Sequence, residues 1–284
     1  MARVPVVATI REAYGFTSAN LGGIIGLIWI PMVLVTIMGF FSSQNLFNQA
    51  IEVVASGNAG NSGAALLLWL GYLLAALLLM AMMYVAVVQL ALGTRTASVW
   101  AYFAFGTAEL RMLLALLAFV GLAIPVFFLG NILVSAAAMR SMQAASLASL
   151  VFYILMLGFI ARFFLLLPAV SVMETDPVLR RAWQLSTGNF WQLFGVLLAF
   201  VIPLFLLFLL LMVPVASRIP PLPPATGANL QVQQLAMFVW VRQALPFLWG
   251  LLFFVWPVVI GLFSQASVSA WKALKTEQNL DIKV

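Results

Sequence analysis

Long apolar runs separated by short polar stretches recur along the whole chain, and several exceed the ~20 residues that cross a hydrocarbon core. Six spanning helices are predicted: 21–41, 64–92, 112–134, 149–172, 192–213 and 247–270. The ~10-residue alternating segments of a transmembrane β-barrel are absent. The pattern therefore predicts an all-α integral membrane protein, a single polytopic domain over residues 1–284, with amphipathic helices lying in the interface. Two stretches have that interfacial character. In VLRRAWQLST (178–187), Leu179, Ala182 and Trp183 fall on one face and Arg180, Arg181 and Gln184 on another. Thr175-Asp176-Pro177 before it reads as a helix start, with Asp176 as N-cap and Pro177 at the first helical position. IREAYGFTSAN (10–20) reads the same way.

These two stretches also align with each other. Arg11, Ala13, Asn20 and Gly26 match Arg180, Ala182, Asn189 and Gly195, and LLAFV occurs at both 116–120 and 197–201. A repeated unit is expected, an interfacial helix followed by two spans, over about 6–92, 96–172 and 176–272. Gly22, Gly23 and Gly26 are expected to serve close helix packing.

Charge gives the orientation. With the N-terminus inside, Arg3, Arg11, Arg95, Arg111, Arg180, Arg181, Lys272, Lys275 and Lys283 lie inside, and Arg140, Arg218 and Arg242 outside. This bias predicts cytoplasmic termini. The outer connection 44–63 carries no basic residue, and the Pro-rich 217–231 reads as an extended surface loop. The start does not read as a signal peptide, because Arg11 and Glu12 interrupt any apolar region there.

Composition then narrows the chemistry. The chain is 65% hydrophobic and 7% charged, with no His and no Cys. The net charge of +6 is scattered at span ends, which suits anionic phospholipid as a partner and not nucleic acid. The usual general bases, thiol nucleophiles and metal ligands are missing, so no enzyme activity, cofactor or metal is expected. Glu174 and Asp176 are the only acidic residues close together near a span end.

Arg162 stands apart. It sits in GFIARFFLLLPAVSVM, and a permanent charge in such a stretch marks a functional site by default. Counting about 1.5 Å per residue from Glu174 places it near the membrane midplane, facing the bundle. Two roles compete: a tie between spans, or a site for an anion or lipid headgroup. Arg162, Arg180, Arg181, Glu174 and Asn189 form the candidate headgroup set.

One segment carries a resemblance. Arg162, an apolar run, Pro168, Glu174, Arg180-Arg181-Ala182-Trp183 and Gly188-Asn189 follow one another in a pattern similar to the membrane domain associated with bacterial glycerophosphoryl diester phosphodiesterases. The ending ASVSAWKALK is similar as well. The resemblance implies a stand-alone inner-membrane protein without the catalytic domain, since a phosphodiesterase barrel would need His and metal-binding carboxylates. The leading expectation is a non-enzymatic protein with a structural or lipid-associated role. The alternatives are a small permease or lipid transporter, and a membrane subunit or assembly factor with a membrane-protein partner.

Overall fold

A computed structural model describes residues 3–56, 62–95, 102–174, 176–217 and 230–281. Among these residues every regular element is an α-helix: α1 (Val6–Ser56), α2 (Ser62–Ala91), α3 (Thr107–Ala138), α4 (Met142–Phe163), α5 (Leu167–Met173), α6 (Val178–Ser186), α7 (Phe190–Ala216) and α8 (Leu230–Asp281). Six segments are long and apolar enough to cross a membrane, α4 and α5 together making one of them. The chain is a multi-pass, all-α membrane protein. Arg218, Lys283, Thr175 and most of the Pro-rich stretch lie outside the described residues.

The frame is an antiparallel pair of very long helices, α1 and α8. Buried positions on α1 recur at steps of three, four or seven residues (Thr9, Ala13, Thr17, Ile24, Ile28, Met32, Val35, Gly39), a stripe that faces α8. Contacts run its whole length. Ser269 Oγ donates to Glu12 Oε2 at 2.5 Å, Gly261 lies against Thr17 and Ile24, Gly39 against Trp249, and Arg242 Nη1 donates to Asn48 Oδ1 at 2.9 Å. At ~1.5 Å per residue, the 51 residues of α1 measure about 76 Å. A ~30 Å hydrocarbon core cannot absorb that within the ~0–40° tilts of membrane helices. The polar run Ser42-Ser43-Gln44-Asn45 and Arg242 on α8 therefore lie beyond the apolar layer.

α2 runs through the centre, 61% of its apolar window being buried, against 17% for α3 and for α7. Residues 81–88 of α2 are all buried. The distal half of α3 is exposed along Phe127, Phe128, Ile132 and Leu133, a surface suited to lipid tails. It meets α4 where Gly130 lies under the ring of Phe152.

Several expectations are corrected. Residues 10–20 are not a separate interfacial helix; they belong to α1, which continues without a break to Ser56. Asn20, aligned with Asn189, is mid-helix with its Nδ2 donating back to the Phe16 carbonyl at 2.9 Å. Asn189 is the N-cap of α7, preceded by Gly188 at φ +86°, a left-handed turn that favours glycine. The two aligned segments thus do not share a turn. Nor do Gly22 and Gly26 pack closely, as a Cβ at either would meet nothing within 4 Å. The fourth span is broken. Pro168 cannot donate to a preceding carbonyl, α4 ends at Phe163, and Leu165 N–H reaches back five residues to Ile160 at 3.3 Å. The short α5 that follows is buried from Leu167 to Ser171, and Ala169 N–H donates to Ser267 Oγ on α8 at 3.0 Å.

A similar proline effect joins loop to span. Pro31 leaves the Leu27 carbonyl without its helical donor, and Tyr102 N–H supplies one at 3.0 Å.

Close packing at the right glycines makes a test. At Gly130 a Cβ would overlap the ring of Phe152, and at Gly39 the ring of Trp249. Gly130→Val and Gly39→Val are expected to destabilise within the ~1–3 kcal/mol of overpacked cores. Gly26→Ala should be neutral or stabilising by helix propensity. Thermal unfolding in detergent reads all three. Equal behaviour of Gly26→Ala and the two Val variants would refute this packing.

Candidate functional site

The start of α1, Trp271 and Lys275 of α8, the residues around Arg95 and Tyr102, and the α5–α6–α7 region gather at one end of the bundle, here the basal end. Val4 N–H donates to Asn189 Oδ1 at 3.2 Å, which pins the N-terminal segment to the start of α7. Asn189 is buried and anchors the N-terminal segment inside the protein.

Glu174 organises this end. It caps the C-terminus of α5 and is 9% exposed. Arg181 Nε of α6 donates to Oε2 at 2.6 Å, and Trp271 Nε1 of α8 donates to Oε1 at 2.8 Å. Lys275 Nζ lies 3.8 Å from Oε1 and 4.6 Å above the Trp271 ring. Arg111 Nη1 of α3 donates to the Glu174 carbonyl oxygen at 2.9 Å. One residue thereby ties α3, α5, α6 and α8 together. Both carboxylate oxygens accept a hydrogen bond from another helix, and a second cation lies close, which gives this carboxylate a structural character.

A second polar cluster lies nearby. Arg95 donates to Gln89 Oε1 at 3.1 Å and stacks 3.9 Å over the Tyr102 ring, while the Tyr102 hydroxyl donates to buried Glu109. Burial, then the Glu109 carboxylate, push the Tyr102 phenol above its usual range, with Arg95 acting the other way.

α6 is the amphipathic helix that the sequence predicts, with two changes. Its N-cap is Pro177, and no side chain caps it, so Asp176 is an exposed residue before the helix. Its buried face is Val178, Ala182, Leu185 and Ser186, leaving Trp183 at 44% exposure. The basic pair divides: Arg181 is held by Glu174, and Arg180 is exposed.

Arg162 meets this helix. Its guanidinium lies 3.7 Å over the indole of Trp183, and Nη2 is 3.4 Å from Thr187 Oγ1. Its buried Nε has no partner. No carboxylate pairs with it among the described residues. Because the chain breaks after Phe163, rise counting from Glu174 fails, and Arg162 sits level with α6. Its side chain is half-buried and lies against α6. Beside it, α4, α6 and α7 enclose an open groove of about 600 Å³, lined by Leu155, Gly158, Phe159, Phe163, Phe190, Trp191 and Phe194 as well as Arg162 and Trp183.

No family model, curated protein or solved structure matches this chain. The geometry therefore has to speak for the function.

Of the five sequence candidates, Glu174 and Arg181 come together, Asn189 is an internal anchor, and Arg162 and Arg180 remain on the surface of the basal end. Sequence reasoning missed Arg111, Trp271 and Lys275. The last two are four residues apart on one helix face, a readable signal; the approach of α3 is not readable. The described residues hold no group of three His, Cys, Asp or Glu side chains that could bind a metal.

Proposed function

We propose that this protein is a non-enzymatic, phospholipid-associated protein of a bacterial inner membrane, with both termini in the cytoplasm. The observation that carries the reading is α6. It presents exposed Arg180 and Trp183 at the basal end while Arg181 and Glu174 fasten it to the bundle. An exposed cation beside an exposed indole is the pairing expected at an anionic headgroup layer. The basic residues biased toward this end support the same orientation, and the resemblance around Arg162 to Asn189 supports a stand-alone inner-membrane role.

Two experiments test it. A Cys at Ser56 is expected to react with a membrane-impermeant maleimide on intact cells, and a Cys at exposed Gln184 only after permeabilisation. The reverse pattern would overturn the orientation. Arg180→Glu is expected to weaken retention of anionic phospholipid at least about fivefold, from ~1 kcal/mol per basic residue at an anionic surface and more on sign reversal. Arg181→Glu is a poor probe because it also breaks the Glu174 pair. Unchanged lipid retention in Arg180→Glu would remove α6 as the lipid-contacting element.

A further inference from the structure

Resting on that lipid-associated reading, we propose that the groove between α4, α6 and α7 is a site for one anionic phospholipid, its phosphate on Arg162 and one acyl chain along Phe159, Phe190 and Phe194.

The first argument is the state of the cation. Three basic groups at the basal end have carboxylate or amide partners: Arg181 and Lys275 at Glu174, Arg95 at Gln89. Arg162 has one long contact to a hydroxyl and a buried Nε without a partner. It cannot lose its charge by deprotonation. A guanidinium left with unused donors next to an apolar surface attracts an anion, and phosphate suits its fork. Stacking on Trp183 fixes the plane of that fork in advance.

The second argument is the shape and chemistry of the groove. Its volume of about 600 Å³ falls in the range of small-molecule sites, roughly 300–1,000 Å³. Apart from Arg162 the lining is apolar or aromatic. A free phosphate would use the cation and leave the groove empty, whereas a phospholipid uses both. Leu155 and Trp191 at the groove are 63% and 75% exposed, so the opening faces the bilayer sideways. A lipid can enter without crossing protein.

The third argument concerns selectivity. A zwitterionic headgroup brings an ammonium that needs an acceptor. Among the described residues no carboxylate pairs with Arg162, and the nearest charged residue on α6 with a free surface is another cation, Arg180. The site should therefore prefer phosphatidylglycerol to phosphatidylcholine.

The test is native mass spectrometry of the full chain. The protein is stripped of lipid in detergent and offered phosphatidylglycerol or phosphatidylcholine, with thermal unfolding recorded for each variant. The wild type is expected to keep one phosphatidylglycerol at activation energies that remove phosphatidylcholine. Arg162→Lys should weaken that retention about tenfold through loss of the two-pronged contact. Arg162→Leu should erase the preference. Leu155→Trp fills the groove from an exposed position, so the fold is spared, and it should expel the lipid with Arg162 intact. Three results would overturn the site: no lipid held by the wild type, retention unchanged in Leu155→Trp, or Arg162→Leu that loses stability but keeps its lipid. If the site fails while Arg180→Glu still sheds anionic lipid, the broader reading stands alone. If neither changes lipid binding, both fall.

Discussion

Glu174→Ala is expected to destabilise the protein by about 2–3 kcal/mol. The carboxylate accepts from Arg181 and buried Trp271 and lies near Lys275, so its removal leaves the Trp271 indole N–H without a partner. Hydrogen bonds to a charged group are worth about 1.5–3 kcal/mol each. Breaking a fully buried ion pair costs about 3–5 kcal/mol. The lower figure applies here because the side chains of Arg181 and Lys275 are 22% and 40% exposed and can turn to water. Glu174→Gln should cost less, since its amide oxygen still accepts from Trp271. Thermal unfolding in detergent orders the three proteins, and intrinsic fluorescence would report a freed Trp271. A Glu174→Ala variant as stable as the wild type would show that α3, α5, α6 and α8 hold together without this residue.

Phe200→Ala is expected to cost about as much, by a different route. Phe200 is fully buried and meets the rings of Tyr14 on α1 and Phe263 on α8. It is a main fastening of α7, whose own apolar window is mostly unburied. In water such a truncation costs about 3–5 kcal/mol. Within a bilayer the transfer part falls away, because lipid is as apolar as the core. The remaining void, on the order of 100 Å³ at ~24 cal/mol per Å³, gives about 2.4 kcal/mol. Phe205, exposed on the same helix, is the control, and Phe205→Ala should change little. Similar losses for both would mean that α7 is not held by this contact. Because α7 forms one wall of the lipid groove, Phe200→Ala should also loosen lipid retention.

The spans were legible because membrane helices are dictated by the length of apolar runs, and all six predicted centres fall on helices. Ends were less so. Asn20 aligned with Asn189 at the start of a span, but α1 runs straight through, and Asn20 satisfies its amide within the helix. The break after Phe163 had a visible cause in Pro168, yet rise counting assumed a straight helix. A repeat inferred from aligned residues did not survive as a shared turn, because helical Leu- and Ala-rich segments align whatever their tertiary partners. Arg162 was visible as a charge in the wrong medium, and Glu174 and Arg181 as charges near a span end. Their partners were not, since Trp271, Lys275 and Arg111 lie 63 to 101 positions from Glu174, and only the fold brings them together.

The most direct test of the account is the structure of the full chain determined in a nanodisc of phosphatidylglycerol and phosphatidylethanolamine. The account predicts a single ordered phospholipid between α4, α6 and α7, with phosphate density within hydrogen-bonding distance of Arg162 and an acyl chain against Phe159 and Phe194. An empty or collapsed groove, with the Arg162 guanidinium bonded to protein oxygens alone, would contradict it.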